Sequence, residues 1–163
     1  MSKCIIIVGN TGTGKTTEAK KLLSSIQMKK YIYDVNNEYR EYDKQAVFPN
    51  FKIFLSNAKM MRDTVIMFEE ATIFLTHASS SESIRDMLVR KRHTNNIIIF
   101  NFHALRQVPL YLLDFCNYLI IGKTNDIPDK MRTKFDSFTD IVDAFNRVNE
   151  SDNKYIKEYV KLN

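Results

Sequence analysis

Tryptophan is absent from the 163 residues, and glycine (4), proline (3) and cysteine (2) are scarce. So few glycines and prolines argue against long disordered linkers and confine disorder to short loops. Cys4 lies in the first apolar run and Cys116 near a late one, without the spacing of a metal site, so both are expected to be buried, reduced thiols of an intracellular protein. No run approaches the roughly 18 apolar residues needed to cross a bilayer. The amino terminus enters directly into a strand-like run instead of a signal peptide, so a soluble, cytosolic chain without membrane insertion is expected. Charge of one sign is also modest: 24 Lys and Arg against 19 Asp and Glu give +5. That excess is compatible with a polyanionic partner without demanding one. The length suits one α/β domain over residues 1–163, with no room for a separate substrate domain.

What the chain does contain is Gly9-Asn10-Thr11-Gly12-Thr13-Gly14-Lys15-Thr16, which fits the phosphate-binding loop G-x-x-x-x-G-K-[ST]. It follows the strand-like Cys4-Ile5-Ile6-Ile7-Val8 and precedes a helical pattern in which Ala19, Leu22, Leu23 and Ile26 share one face. The motif therefore sits in the strand–loop–helix context that it needs. Loop N–H groups from Asn10 to Thr17 can cradle phosphates, and the helix N-terminus adds its positive end. Lys15 reaches the β- and γ-phosphates and the Thr16 hydroxyl reaches magnesium. ATP and Mg2+ are the expected ligands.

Short apolar runs alternate with helix-period segments, the pattern of a mostly parallel sheet covered by helices. Strands are expected near 3–8, 31–35, 51–55, 64–69, 97–102 and 118–122, and helices near 15–28, 56–62, 81–93, 108–115 and 136–148. The terminal stretch 154–162 alternates polar and apolar residues and suits either an edge strand or a short helix.

Three of these elements carry further chemistry. Thr64-Val65-Ile66-Met67-Phe68 is a buried-strand run closed by Glu69 and Glu70, as expected of a Walker B strand whose carboxyl end faces the nucleotide. Successive residues point in different directions, so Glu69 can face the magnesium shell while Glu70 faces an attacking water. A double acid here favours hydrolysis over transfer. Asp34 and Glu38 follow another short strand and can reach the same edge, Glu38 as a secondary candidate. Asn96-Ile97-Ile98-Ile99-Phe100-Asn101-Phe102-His103 ends a third strand, with His103, or Asn101 one period earlier, as a γ-phosphate sensor. Ahead of it, residues 83–93 form a helix with Ile84, Met87 and Leu88 inward and a cationic outer face from Arg85 to Arg92. That face suits an arginine finger entering a neighbouring subunit, a phosphate-backbone contact, or plain solvation.

Together, residues 9–17, 34–39 and 65–71, with Arg92-His93 before the 97–103 strand, resemble the FtsK/HerA superfamily of DNA-pumping ATPases. Small size and the Arg-His pair look most like its viral (phage) genome-packaging ATPases and the zonula-occludens-toxin-like ATPases of filamentous phages. The resemblance spans roughly residues 3–125. It implies a RecA/ASCE-like core with strand order 5-1-4-3-2 and a homo-oligomeric ring of five or six subunits. It also implies ATP hydrolysis that drives DNA, double-stranded in the packaging enzymes, and capsid or portal partners in a host cytoplasm. By position it assigns phosphate and magnesium to Lys15 and Thr16, metal support to Glu69, water activation to Glu70 and a trans role to Arg90 or Arg92. His103 stands where the family often has glutamine. The competing readings are a small-molecule kinase with Arg85–Arg92 as its lid, and a nucleotide-dependent binding switch, against which intact Lys15, Thr16 and Glu70 argue.

Overall fold

A computed structural model describes residues 2–75, 78–126 and 138–162. Strands β1 (Lys3–Val8), β2 (Lys29–Tyr33), β3 (Val47–Phe48), β4 (Thr64–Phe68), β5 (Ile97–Phe102), β6 (Tyr118–Ile121) and β7 (Glu158–Lys161) form one sheet ordered β3-β2-β4-β5-β1-β6-β7. All neighbours are parallel except β6 and β7. Without the edge strands β3 and β7, counting the five others in chain order gives 5-1-4-3-2, as the resemblance implies. The terminal segment resolves to the antiparallel edge strand.

The helices are α1 (Lys15–Ser25), α2 (Phe51–Ala58), α3 (Thr72–Leu75), α4 (Ala78–Thr94), α5 (Leu110–Phe115) and α6 (Phe138–Glu150). The helix expected near 136–148 is α6, which ends two positions late; its first two expected positions lie outside the described residues. Unbroken apolar runs in β1, β4 and β5 are buried on both sides, which requires helices on both faces. Alternation sorts them: Cys4, Ile6 and Val8 face α2, α4, α5 and α6, whereas Ile5 and Ile7 face α1. Cys116 Sγ donates to the carbonyls of Cys4 (3.5 Å) and Tyr118 (3.0 Å), so the two buried thiols lie together at the start of the central strands.

One element departs from expectation. Residues 51–55 are not a strand; α2 takes them together with the first half of the helix expected at 56–62. Asn50 supplies the reason, because its side chain accepts from the Ile53 N–H (3.1 Å) and caps the helix. Phe54, Leu55 and Ala58 then fall on one buried face. The Phe54 ring stacks on Tyr31 at 4.8 Å and meets Phe68 edge-on at 5.1 Å, packing that holds the helix over β2 and β4.

Candidate nucleotide site

Parallel register brings the carboxyl ends of β1, β4 and β5 to one edge. Val8 pairs with Phe102 and Phe68 with Phe100, so one residue further on Glu69 lies beside Asn101, and Gly9 follows alongside His103. Backbone bonds continue the alignment: Gly9 N–H donates to Phe102 O (3.1 Å), Asn10 N–H to Lys123 O (2.8 Å) and Ala71 N–H to Asn101 O (3.0 Å).

The loop from β1 to α1 curls through Gly12 (φ 79°) and Gly14 (φ 82°), left-handed conformations that an L side chain resists. Gly14 precedes α1 and offers no side-chain cap, leaving the first-turn N–H groups open to an anion. Lys15 is buried in the loop, its Nζ 3.1 Å from Asn10 O and 3.4 Å from His103 Nδ1. Burial lowers its pKa, opposed by the charges of Glu69, Glu70 and Glu38. A cleft of about 560 Å³ opens here, lined by loop residues 11, 12 and 14–17 and by Glu38, Glu69, Glu70, His103 and Tyr155, among others.

The two glutamates take different surroundings, as their adjacent positions predict. Glu70 adopts φ 57°, a left-handed turn costing a non-glycine residue about 1–2 kcal/mol. The turn carries its carboxylate into the cleft, where Oε1 and Oε2 lie 2.8 and 2.6 Å from His103 Nε2. His103 thus bridges Glu70 and Lys15. Glu69 is only 2% exposed, and its Oε2 accepts from Tyr39 Oη and Asn101 Nδ2, both at 2.7 Å. Asn101, the alternative sensor, therefore holds Glu69 and not Glu70. Its buried Oδ1 has no hydrogen-bond partner among the described residues. Thr16 Oγ1 donates to Glu38 Oε2 (2.7 Å), so Glu38 does reach the site. Asp34 does not line the cleft. It is buried and accepts from the N–H groups of Asn36 and Tyr39 at 3.0 Å, shaping the turn that delivers Glu38 and Tyr39.

Hard oxygen donors suit magnesium, and Thr16, Glu38 and Glu69 supply them at one end of the cleft. Among the described residues no three His, Cys, Asp or Glu side chains form a self-sufficient metal cage.

Burial pushes the Glu69 carboxyl up to about 7, with Glu38 and Glu70 adding to it, while the hydrogen bonds from Tyr39 and Asn101 pull it down. The folded chain then holds a proton that the unfolded chain has released between pH about 4.5 and about 7. Metal-free stability should fall as pH rises through that window, by at most about 3 kcal/mol, and level off above it. Denaturant midpoints at pH 5 and pH 8 measure this. Glu69→Gln should flatten the difference, and an unchanged pH dependence in that variant would assign it elsewhere.

Arg90 and Arg92 are not in the cleft. Both are exposed, Arg92 in the last turn of α4 and Arg90 just before it, paired with Asp86. That turn lies at the opposite edge of the sheet, where Thr94 O accepts from Asp63 N–H (2.9 Å) just before β4. Arg85 stacks 4.8 Å over the Tyr111 ring, and Lys91, outwardly part of the same cationic run, is buried with its Nζ on Phe115 O. This helix is no lid over the loop. Sequence reasoning missed Tyr39, which orients Glu69 from a distant loop, and the terminal segment, where Lys157 Nζ donates to Thr13 O (3.0 Å) and Tyr155 borders the cleft. Tyr39, five residues beyond Asp34, is detectable as a polar aromatic in a carboxylate-rich turn. Nothing local marks Lys157.

A phosphate loop, a buried strand-end carboxylate, and a second carboxylate joined to the loop lysine through His103 have the arrangement of an ATP-hydrolysing P-loop fold. The chain belongs to the ATPase family associated with various cellular activities (AAA), whose sequence model matches residues 5–146. A comparison with curated protein sequences finds no match. Among solved structures it is similar to B204, the DNA-packaging ATPase from Sulfolobus turreted icosahedral virus, with TM-score 0.74 and 16% identity over 98% of this chain and 92% of that one. The genome packaging NTPase B204 of Sulfolobus turreted icosahedral virus 2, in complex with AMPPCP, gives 0.71 and 17% over the same shares. The pCW3 conjugation coupling protein TcpA, with ATPγS, gives 0.68 and 11% over 98% of this chain and 57% of that one. At such identities the likeness is one of fold, and at that level the expected resemblance to genome-packaging ATPases holds. Among the described residues no helix is long and apolar enough to cross a membrane.

Proposed function

We propose that this ATPase is one subunit of a ring that hydrolyses ATP to move DNA, a packaging motor acting in a host cytoplasm. The observation that carries the reading is the cleft itself: Lys15 and Glu70 meet there through His103, yet no arginine is among its lining residues that are described. A transferring phosphoryl group gains much of its stabilisation from such a cation. A neighbour can supply it, since Arg90 and Arg92 stand at the edge opposite the cleft, and a head-to-tail interface joins opposite edges around a closed ring. B204, so similar in fold, is a DNA-packaging ATPase, and TcpA is a conjugation coupling protein.

In this mechanism Lys15 leaves Asn10 O for the β- and γ-phosphates. Thr16 and Glu69, with Glu38 beside them, would hold magnesium, which when bound neutralises charge on the phosphate oxygens. Glu70 orients a water and takes its proton as the γ-phosphoryl group is transferred to it, giving ADP and phosphate. His103, between Glu70 and Lys15, positions both and senses whether the γ-phosphate is present.

Particle mass in the presence of a non-hydrolysable ATP analogue and double-stranded DNA tests the ring. Five or six times the 19.1 kDa of one chain is expected, together with faster ATP turnover when duplex is added. Chains that stay monomeric with both ligands, and whose turnover ignores DNA, would exclude the motor. Single-stranded DNA run in parallel decides which form is the cargo.

A further inference from the structure

The cleft has a direction. Glu70 and His103 close the γ-phosphate end, so a triphosphate bound on the loop must carry its nucleoside away on the other side, past Gly14 and Thr17. A second cleft of about 540 Å³ opens there and shares Gly14, Thr17 and Tyr155 with the first. Its remaining wall comes from α1, through Glu18 and Lys21, and from the terminal segment, through Lys157 and Tyr159.

That segment is tied to the loop, to α1 and to the stretch after β6. Lys123 Nζ donates to Ser151 O, Lys157 Nζ to Thr13 O (3.0 Å) and to Tyr155 O (3.3 Å), and Tyr159 Oη to Glu18 Oε1 (2.7 Å). Asn153 Oδ1 accepts from the Tyr155 N–H (3.0 Å), fixing the turn that presents the ring. Tyr155 nonetheless stays 57% exposed, and it and Tyr159 are the large aromatic side chains left exposed among the described residues. The Tyr155 Cδ1 edge stands 3.5 Å from the point a Gly14 Cβ would occupy, so the ring lies directly against the phosphate loop. Lys154 Nζ sits over one ring face, 4.7 Å from the centroid, so a base would stack on the other face or displace that cation.

An aromatic held in place yet unburied, at the mouth through which a nucleoside must leave, is a stacking platform. We propose that the terminal segment forms the nucleoside subsite, with the base stacking on Tyr155, and that Lys157 and Tyr159 hold this platform against the loop. The inference rests on the nucleotide reading of the loop and adds to it the residue that grips the base.

Calorimetric titration of the full chain, with magnesium, compares two probes: a non-hydrolysable ATP analogue, and inorganic tripolyphosphate, which has no base. Tyr155→Ala should weaken the analogue about tenfold, in line with the alanine cost of one stacked base, and leave tripolyphosphate unchanged. Tyr155→Phe keeps the ring and should bind both like the wild type. Tripolyphosphate binding also reports that the alanine variant is folded with an intact loop. Equal affinity of the wild type for the two probes overturns the subsite while sparing the loop, as does an alanine variant that loses neither probe or both to the same degree. A wild-type chain that binds neither overturns the nucleotide reading, and the subsite with it.

Discussion

Glu70→Gln should slow ATP turnover by about 10²–10⁴-fold, the usual cost of losing a positioned base, while leaving nucleotide affinity near the wild-type value. Glutamine matches glutamate in volume, and its amide can still meet His103 Nε2, which lies 2.6 Å from the carboxylate. The left-handed turn at residue 70 is unaffected, since neither side chain is β-branched. What disappears is the capacity to take a proton from water. Phosphate release measured beside a binding titration separates the two effects: turnover within threefold of wild type would remove Glu70 from the chemistry, whereas lost binding would show that it serves the metal instead. Glu69→Gln is the contrasting substitution. Its carboxyl is buried and accepts from Tyr39 and Asn101, and in the proposed role beside the ion its loss should weaken magnesium-dependent binding first.

The central strands and the loop are legible in the sequence because both signals are local. An apolar run bounded by polar residues fixes β1, β4 and β5, and the spacing of Gly9, Gly14 and Lys15 fixes the curl between β1 and α1. The divergence of Glu69 and Glu70 also follows from strand alternation, although the left-handed turn that completes it has no marker in two identical residues. At 51–55 the four apolar residues around Lys52 have no decisive period, and so short a stretch suits a strand as well as a helix. The Asn50 cap was the available discriminator. Tyr39 with Glu69 and Lys157 with Thr13 are separated by 30 and 144 residues, so only the folded topology brings them together. The same holds for the α4 arginines. Composition shows a basic helix, but the edge of the sheet at which its last turn arrives depends on the β4–α4–β5 crossover.

Removal of Lys15 should cost most. Lys15→Met retains the stem and deletes the charge, leaving Glu38, Glu69 and Glu70 facing a phosphate loop with no cation of its own side chain at its centre. Breaking a buried charge pairing typically costs 3–5 kcal/mol, equivalent to roughly 10²–10⁴-fold weaker nucleotide binding, with turnover lost accordingly. A second effect separates this from simple loss of a phosphate contact. With the cation gone, the hydrogen bonds from Tyr39 and Asn101 remain but one charge facing the carboxylates is lost, so the Glu69 carboxyl should titrate still higher than about 7. Because the proton it holds stabilises the folded chain, the window in which metal-free stability declines with pH should extend upward in the variant. Denaturant midpoints followed from pH 5 to pH 9 for both proteins test this. Identical profiles, alongside weakened nucleotide binding, would mean that Lys15 serves the phosphates alone and has no part in balancing the acidic end of the cleft.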